Sequence, residues 1–267
     1  MSAATQVELV DADDDGQIEV LVIGEGPTVI CLPSLGRSAE DFVGVATRVA
    51  LEGYRMLLPQ PRGIGESTGS LVGLTMQDLA DDAARVLTSL NGIPSIVVGH
   101  AFGNRVARML ATLHPELTES VVLLACGGMV PPAAEVSKAL VSVFDERLSK
   151  HEHLQAVRTA FFAPGNDPSA WEGGWHPIVA AAQAAATTAL DVNAWWTAGS
   201  ADVLIVQPAD DVVAVPENGQ QLLAALGSRA AMVEIAHAGH ALLPEQPEAV
   251  ARTLLRWLGN PDREPQS

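Results

Sequence analysis

Short apolar runs rich in β-branched residues alternate with longer amphipathic stretches along most of this 267-residue chain. Because a helix that follows each strand must cover the sheet, this alternation predicts a mostly parallel central sheet with helices on both faces. The runs predict strands at Thr28–Pro33, Tyr54–Leu58, Ser95–His100, Ser120–Ala125, Val203–Gln207 and Ala231–Ile235. The amphipathic stretches predict helices at Ser38–Leu51, Thr75–Leu90, Phe102–Leu113, Glu217–Leu226 and Glu245–Leu258.

The first 25 residues follow a different pattern. Gln6–Asp11 and Gln17–Ile23 alternate in polarity and flank the turn-rich sequence Asp13–Gly16. Two alternating runs joined by a short turn of this composition predict a β-hairpin.

The alternation of strands and helices stops between Met129 and Asp202. Helical patterns occur there around Ala134–Leu148 and Ile178–Leu190, and no strand is predicted. An insertion of this length between two strands is expected to fold as a helical cap rather than as a loop. We therefore predict a core formed by residues 1–128 and 203–267, with a cap at residues 129–202.

The predicted cap contains four of the five tryptophans of the chain: Trp171, Trp175, Trp195 and Trp196. These side chains either pack the cap onto the core or, together with Phe161 and Phe162, line a pocket for an apolar molecule.

The formal net charge of −17 argues against nucleic acid and anionic membrane surfaces as partners. No apolar run reaches the ~18 residues of a membrane-spanning helix, and Met1–Val10 lacks the basic and apolar regions of a signal peptide. Cys31 and Cys126 lie in apolar runs without metal-type spacing, which is typical of buried, reduced thiols. We expect a cytoplasmic protein, either a monomer or a homodimer.

Three local sequences carry candidate chemistry, each at the end of a predicted strand. The strand at Ser95–His100 runs through Gly99-His100-Ala101-Phe102-Gly103 directly into a helix. Asp210 and Asp211 follow the strand at Val203–Gln207. Gly239-His240 follows the last strand. Each feature alone has an ordinary explanation as a tight turn, a helix cap or a loop histidine.

Taken together, the three sites resemble the α/β-hydrolase superfamily, in which nucleophile, acid and base occur in this order. The five residues from Gly99 to Gly103 resemble its nucleophile elbow, G-x-S-x-G, with Ala101 in place of serine. Pro59–Ser67 is similar to the family's P-x-x-R-G-x-G-x-S loop, and Cys31–Phe42 matches the loop after the third strand. The resemblance covers nearly the whole chain and implies an α/β-hydrolase fold.

The resemblance also assigns roles to residues of the predicted site. Ala101 occupies the nucleophile position, His240 is the base rather than His237, and the family spacing favours Asp211 over Asp210 as the acid. The backbone N–H groups of Leu35 and Phe102 would form the oxyanion hole. The candidates for substrate contact are Ser34, His100, Phe161, Phe162, Trp171, Trp175, Trp195 and Trp196.

The sequence departs from the family pattern at Pro33-Ser34, which replaces His-Gly, and at Ala101, which cannot form an acyl-enzyme. Three interpretations of Ala101 remain open. The chain is a serine hydrolase carrying a Ser-to-Ala substitution, or a natural member in which His240 acts as general base in hydrolysis, elimination or cyclisation, or a non-catalytic binding protein.

The expected ligand is a small, largely apolar ester, lactone or related carbonyl compound, and no cofactor is expected. The sequence His151-Glu152-His153 lacks a carboxylate cluster at ligand spacing, so no metal site is predicted.

Overall fold

The computed structural model describes residues 5–12 and 16–259. Their centre is an eight-stranded sheet in the order β1-β2-β4-β3-β5-β6-β7-β8. β1 pairs with β2 and β2 with β4 in antiparallel register, whereas all other neighbouring pairs are parallel. The strands are β1 Thr5–Asp11, β2 Gln17–Ile23, β3 Thr28–Leu32, β4 Arg55–Pro59, β5 Ser95–His100, β6 Thr118–Leu124, β7 Asp202–Pro208 and β8 Ala230–Ile235.

Helices cover both faces of this sheet, as the strand–helix alternation predicts. They are α1 Val43–Ala50, α2 Met76–Ser89, α3 Phe102–Leu113, α4 Ala134–Ser142, α5 Lys150–Phe161, α6 Pro177–Thr188, α7 Pro216–Leu226, α8 Leu242–Glu245 and α9 Pro247–Leu258. The predicted mostly parallel α/β architecture is confirmed.

Two apolar clusters lie on opposite faces of the sheet, because successive residues of one strand point in opposite directions. Val97 belongs to the cluster that includes α2, α3 and α7, whereas Val98 belongs to the cluster that includes α1 and α9. All six residues of β5 are buried, which explains why its central residues 96–99 are all non-polar rather than alternating with polar ones. β5 is therefore rigidly held at the point where the candidate site begins.

The predicted N-terminal hairpin is formed by β1 and β2, whose pairing runs from Thr5 opposite Ile23 to Asp11 opposite Gln17. The residues predicted to form its turn, Asp13–Asp15, lie outside the described residues.

Residues 129–201, all of which the structure describes, contain helices α4 to α6 and no strand. We call this segment the helical insertion. It has an apolar cluster of its own, in which Val157, Phe161 and Trp171 pack with Ala241 from the loop before α8. The insertion therefore packs directly against the loop that carries His240.

Three predicted helices differ from the observed ones. The stretch Ser38–Leu51 begins with a 3-10 turn at Ala39–Phe42 before α1, and α4 ends at Ser142 rather than at Leu148. The stretch Glu245–Leu258 is preceded by the one-turn helix α8 and begins its regular helix only at Pro247. Pro247 lacks an N–H and favours the first position of a helix, which explains the break.

Within the described part of the chain, no helix is long and apolar enough to cross a membrane.

Candidate active site

The turn between β5 and α3 holds Ala101 in an uncommon backbone conformation. Its φ of 51° and ψ of −107° give a residue with a Cβ a positive φ, at a cost on the order of 1–3 kcal/mol. The backbone N–H of Ala101 donates to the carbonyl of Leu124 at the end of β6, with an N–O distance of 3.0 Å. The strained turn is thus tied to the neighbouring strand and exposes the Ala101 methyl group to the space above the sheet.

The two glycines of the turn are required by close approaches of backbone to backbone. A Cβ on Gly99 would overlap the carbonyl oxygen of Gly103, and a Cβ on Gly103 would overlap the carbonyl oxygen of Leu32 on β3. Only glycine lets helix α3 begin this close to two strands. The steric requirement of a nucleophile elbow is therefore met, with alanine at its centre.

Asp211 and His240 form a buried hydrogen-bonded pair. Nδ1 of His240 lies 2.9 Å from Oδ2 of Asp211, and their side chains are 5% and 0% exposed. Oδ1 of Asp211 accepts hydrogen bonds of 2.8 Å from the backbone N–H groups of Val213 and Ala214. The carboxylate therefore accepts the Nδ1 proton and leaves Nε2 of His240 as the group able to take up another proton.

The alternative residues Asp210 and His237 lie outside this pair. Both are exposed, and the backbone N–H of Asp210 donates to the carbonyl of Ala238. The carbonyl of His237 accepts hydrogen bonds from the side chains of Asn166 and Gln246. The structure therefore brings together the acid and base that the family spacing favours.

A third carboxylate, which the sequence did not single out, holds the loop that carries His240. Oε2 of Glu245 accepts from the N–H of Gly239 at 2.7 Å, and Oε1 accepts from the N–H of Ala163 at 2.7 Å and from Asn166 at 2.6 Å. Burial raises the pKa of the Glu245 carboxyl, and its three donors act against that rise. Glu245 thus connects the histidine loop to the helical insertion.

His100 lies beneath the turn rather than on a cavity wall. It is fully buried, and its Nε2 lies 2.8 Å from the backbone carbonyl of His240. Burial is the main cause that lowers the pKa of His100 to about 3, with a smaller effect from the nearby His240. The neutral ring therefore donates from Nε2 and positions the backbone of His240.

The loop after β3 forms a tight turn in which the N–H of Arg37 donates to the carbonyl of Ser34 at 3.1 Å. The helical insertion holds this turn from above, because Gly36 donates to Oε1 of Gln183 at 2.8 Å and accepts from the N–H of His176 at 3.0 Å. Leu35 lies inside this turn and lines the cavity described below.

Phe102 is the first residue of α3, where a helix leaves its N–H groups without intrahelical acceptors. Phe102 and Leu35 both face the same space above Ala101. This placement is compatible with the pair of N–H donors that the resemblance implies.

Arg37 links the same loop to two tryptophans of the insertion. Its guanidinium lies 4.6 Å from the ring centres of Trp171 and Trp175 and is paired with Asp41 at 2.7 Å. It also donates to the carbonyl of Gly173 at 2.6 Å. Trp171 is therefore buried as part of the support of this loop.

A cavity of about 650 Å³ opens between the sheet edge and the helical insertion. Of the sequence-predicted site residues, those on its wall are Ser34, Leu35, Ala101, Phe102, Phe161, Trp175 and His240. Most of the remaining wall is apolar, with Met129, Val130, Leu140, Phe144 and Val213 among its members. Asp211 lies behind His240, and the cavity therefore meets the acid–base pair at the imidazole.

Five predicted substrate contacts are not on the cavity wall: His100, Phe162, Trp171, Trp195 and Trp196. Phe162 packs edge-on against Trp171 in the interior of the insertion. Trp195 and Trp196 stack on the fully buried guanidinium of Arg108, whose Cζ lies 4.5 and 4.8 Å from their ring centres. These two tryptophans join the insertion to α3, and Trp175 is the tryptophan that faces the cavity.

In the described ranges 5–12 and 16–259, no cluster of metal-ligating side chains is present. His151 is exposed on α5, and His153 packs against the edge of Trp175.

A model of the alpha/beta hydrolase family matches residues 29–253, which include the elbow, Asp211 and His240. The chain belongs to the alpha/beta hydrolase family. It is a hydrolase-like enzyme by family and fold.

Among relatives of this α/β hydrolase, the putative non-heme bromoperoxidase BpoC of Mycobacterium tuberculosis is 27% identical over 222 residues, covering 78% of this chain and 84% of the relative. The putative carbamate hydrolase RutD of Serratia proteamaculans is 34% identical over 99 residues, or 37% of each chain. The structure of an esterase from Exiguobacterium antarcticum superposes with a TM-score of 0.80 at 19% identity, covering 96% of this chain and 100% of the esterase. The last likeness shows the fold alone.

The close contact at the elbow predicts a large effect of one added methyl group. Gly103→Ala forces the new Cβ into the Leu32 carbonyl, so we expect the free energy of unfolding to fall by at least about 3 kcal/mol. Urea denaturation measures this change. The control is Gly44→Ala in α1, where the added Cβ would make only an ordinary contact with the Arg48 side chain and stability should rise by about 0.5–1 kcal/mol. A wild-type midpoint for Gly103→Ala would contradict the elbow geometry.

The buried neutral His100 predicts a pH dependence of stability. Its folded-state pKa of about 3 lies below the unfolded value, so only the unfolded chain binds this proton between pH 6.5 and pH 3. Stability is complete above the unfolded pKa and falls as the pH drops, by at most about 1.4 kcal/mol per pH unit from this group.

The contribution of His100 to this pH dependence of stability is measured by comparing the parent with His100→Gln. We expect denaturation curves between pH 7 and pH 4 to lose less stability per pH unit in the variant than in the parent. Equal slopes for the two proteins would show that His100 does not carry this dependence.

Proposed function

We propose that this α/β hydrolase cleaves a small ester, lactone or related carbonyl compound in the cavity, with His240 as general base for an attacking water. The observation that supports this most is the buried Asp211–His240 pair, 2.9 Å apart, in which His240 lines the same cavity as Ala101. A histidine held in one tautomer by a carboxylate is suited to take a proton from water and return it later.

The proposed reaction has two proton transfers. Nε2 of His240 takes a proton from water while the water oxygen bonds to the carbonyl carbon and the carbonyl electrons move to oxygen. The N–H groups of Leu35 and Phe102 would stabilise that oxyanion. As the tetrahedral intermediate collapses, the bond to the leaving oxygen breaks and His240 returns the proton to it.

Ala101 supports direct attack by water rather than an acyl-enzyme. Its methyl group has neither a lone pair nor an acidic proton, so it cannot bond covalently to the substrate. A methyl in place of a hydroxymethyl leaves room for one oxygen atom above the elbow. A water in that room would lie between His240 and a carbonyl in the oxyanion hole.

The conformation of Ala101 argues for catalysis over binding alone. The turn keeps a strained φ of 51°, two glycines and a paired acid and base, although a receptor pocket needs none of these. The apolar wall formed by Leu140, Phe144 and Phe161 supports a substrate with a hydrocarbon portion.

A second reaction uses the same groups. With no nucleophile at Ala101, His240 could instead remove a proton from a carbon beside the carbonyl, and the oxyanion hole would stabilise the enolate. Elimination or cyclisation then replaces hydrolysis. Incorporation of oxygen from labelled water into the acid product distinguishes hydrolysis, which requires it, from this alternative.

Removal of the proposed base should abolish most of the activity. For His240→Ala we expect kcat for short-chain p-nitrophenyl esters or lactones to fall about 10²–10⁴-fold, because a general base contributes about this much. The matched control is His114→Ala, which breaks another His–Asp pair, 2.6 Å to Asp81, at the far end of α3. Control activity should be within a factor of about two of the parent. Unchanged turnover in His240→Ala would show that His240 is not the general base.

Restoring a hydroxyl at the elbow tests whether the site is shaped for carbonyl chemistry. In Ala101→Ser the added oxygen should lie within hydrogen-bond reach of His240, about 2.6–3.2 Å, and become nucleophilic. We expect a fluorophosphonate probe to label the variant covalently at position 101 and not the parent, as measured by mass spectrometry. Such labelling also favours a chain derived from a serine hydrolase.

A negative result is resolved by two further measurements. A smaller sulfonyl fluoride checks whether the cavity excludes the first probe, and Pro33→His with Ser34→Gly restores the family's oxyanion loop. If the folded variant reacts with neither probe even after this repair, the site is not built for attack at a carbonyl and the proposed hydrolysis is rejected.

A further inference from the structure

Arg105 is a charged side chain on the wall of the otherwise largely apolar cavity. It lies on α3, four residues after Ala101 and therefore about one helical turn along the same face. Of the described residues that line the cavity, Arg105 and His240 are the ionisable ones, and none is Asp or Glu. The cavity thus contains a permanent cation and no anion.

Arg105 is half-buried, whereas Arg37, Arg62 and Arg108 are buried and have protein partners. The guanidinium groups of Arg37 and Arg62 each lie 2.7 Å from a carboxylate, of Asp41 and Asp82 respectively. Arg108 donates to the carbonyls of Asn104 and Gly127 at 3.1 and 2.9 Å. In the described part of the chain, Arg105 has no such hydrogen bond or ion pair. Its Cζ lies 5.8 Å from the ring centre of Trp195, and the buried Cys126 is also within range of its charge.

A half-buried guanidinium on an apolar wall loses part of its hydration and gains no protein hydrogen bond in return. Burial lowers the pKa of Arg105, which still remains charged at neutral pH because an arginine does not lose its proton in proteins. A ligand carboxylate would offset that cost, since the planar guanidinium binds carboxylates through two parallel hydrogen bonds. The net charge of −17 repels anions at long range, so selection of an anion must come from this local contact.

We propose that Arg105 binds a carboxylate group of the ligand, so that the cavity takes amphipathic carboxylic acids rather than neutral apolar molecules. This binding does not require turnover; only the position of the reacting carbonyl rests on the proposed function. With that carbonyl at the elbow, the carboxylate lies one helical turn away, a rise of about 6 Å along α3. The substrate class is then half-esters of short dicarboxylic acids, or lactones bearing a carboxylate.

The first test measures binding alone, by isothermal titration of the purified chain at pH 7. The matched probes are 4-phenylbutyrate and 4-phenylbutanamide, which differ in charge and little in shape. We expect the carboxylate to bind at least about tenfold more tightly than the amide. Equal affinities, or no detectable binding of the carboxylate, would overturn the proposal even without a variant.

The second test asks whether Arg105 is the group that prefers the carboxylate over the amide. Arg105→Gln should bring the carboxylate affinity down to that of the amide, while Arg105→Lys should keep part of the preference because it retains the charge. The control for lost positive charge is Arg252→Gln on α9, which packs on the opposite face of the sheet from α3 and should leave both affinities unchanged. A preference that survives Arg105→Gln would assign the carboxylate to another group.

The catalytic measurement separates this inference from the proposed hydrolysis. We expect kcat/KM for mono-p-nitrophenyl glutarate to exceed that for neutral p-nitrophenyl valerate by about tenfold or more in the parent chain, and the two to be equal in Arg105→Gln. Carboxylate binding without turnover would reject hydrolysis and keep the role of Arg105. Turnover without preference for the charged ester would keep the proposed hydrolysis and reject the role of Arg105.

Discussion

The approach of helix α3 to strand β3 at Gly103 is the constraint on which the rest of the site depends. Because Gly103 has no side chain, α3 begins directly against the Leu32 carbonyl. Ala101, the residue just before α3, has a positive φ of 51° in this turn. That one turn raises the methyl group above the sheet, places Phe102 N–H at a helix start and points the face carrying Arg105 toward the cavity. A looser turn would lose all three placements together.

The helical insertion shapes the site as well as covering it. Gln183 and His176 hold the turn at Gly36, and Arg37 stacks between the insertion's tryptophans and the core. Glu245 joins the histidine loop to the end of α5 through Ala163. The insertion therefore holds loops on both sides of the cavity, so a change in its packing would shift the loop after β3 and the loop that carries His240.

The distribution of charge separates the site from the rest of the surface. The chain as a whole carries −17, yet the cavity wall combines apolar side chains with an arginine and a histidine. Asp211 is screened from the cavity by His240, so its charge orients the imidazole rather than facing a ligand. Such an arrangement favours a ligand with a hydrocarbon body and a negative end, whichever reaction follows.

The sequence by itself predicted the sheet architecture from its periodicity and the elbow from its glycine spacing, because both are local properties, and the family resemblance favoured Asp211 and His240. Tertiary structure decided which aromatic groups reach the cavity. Trp175 lines the cavity and also contacts Arg37, whereas Trp171, Trp195 and Trp196 do not line it and pack on Arg37 or Arg108, which are distant in the chain. It also revealed Glu245 and Arg105. The sequence around these two residues gives no sign of their roles. Whether a charged side chain finds hydrogen-bond partners on other elements depends on tertiary packing, which a local sequence pattern does not show.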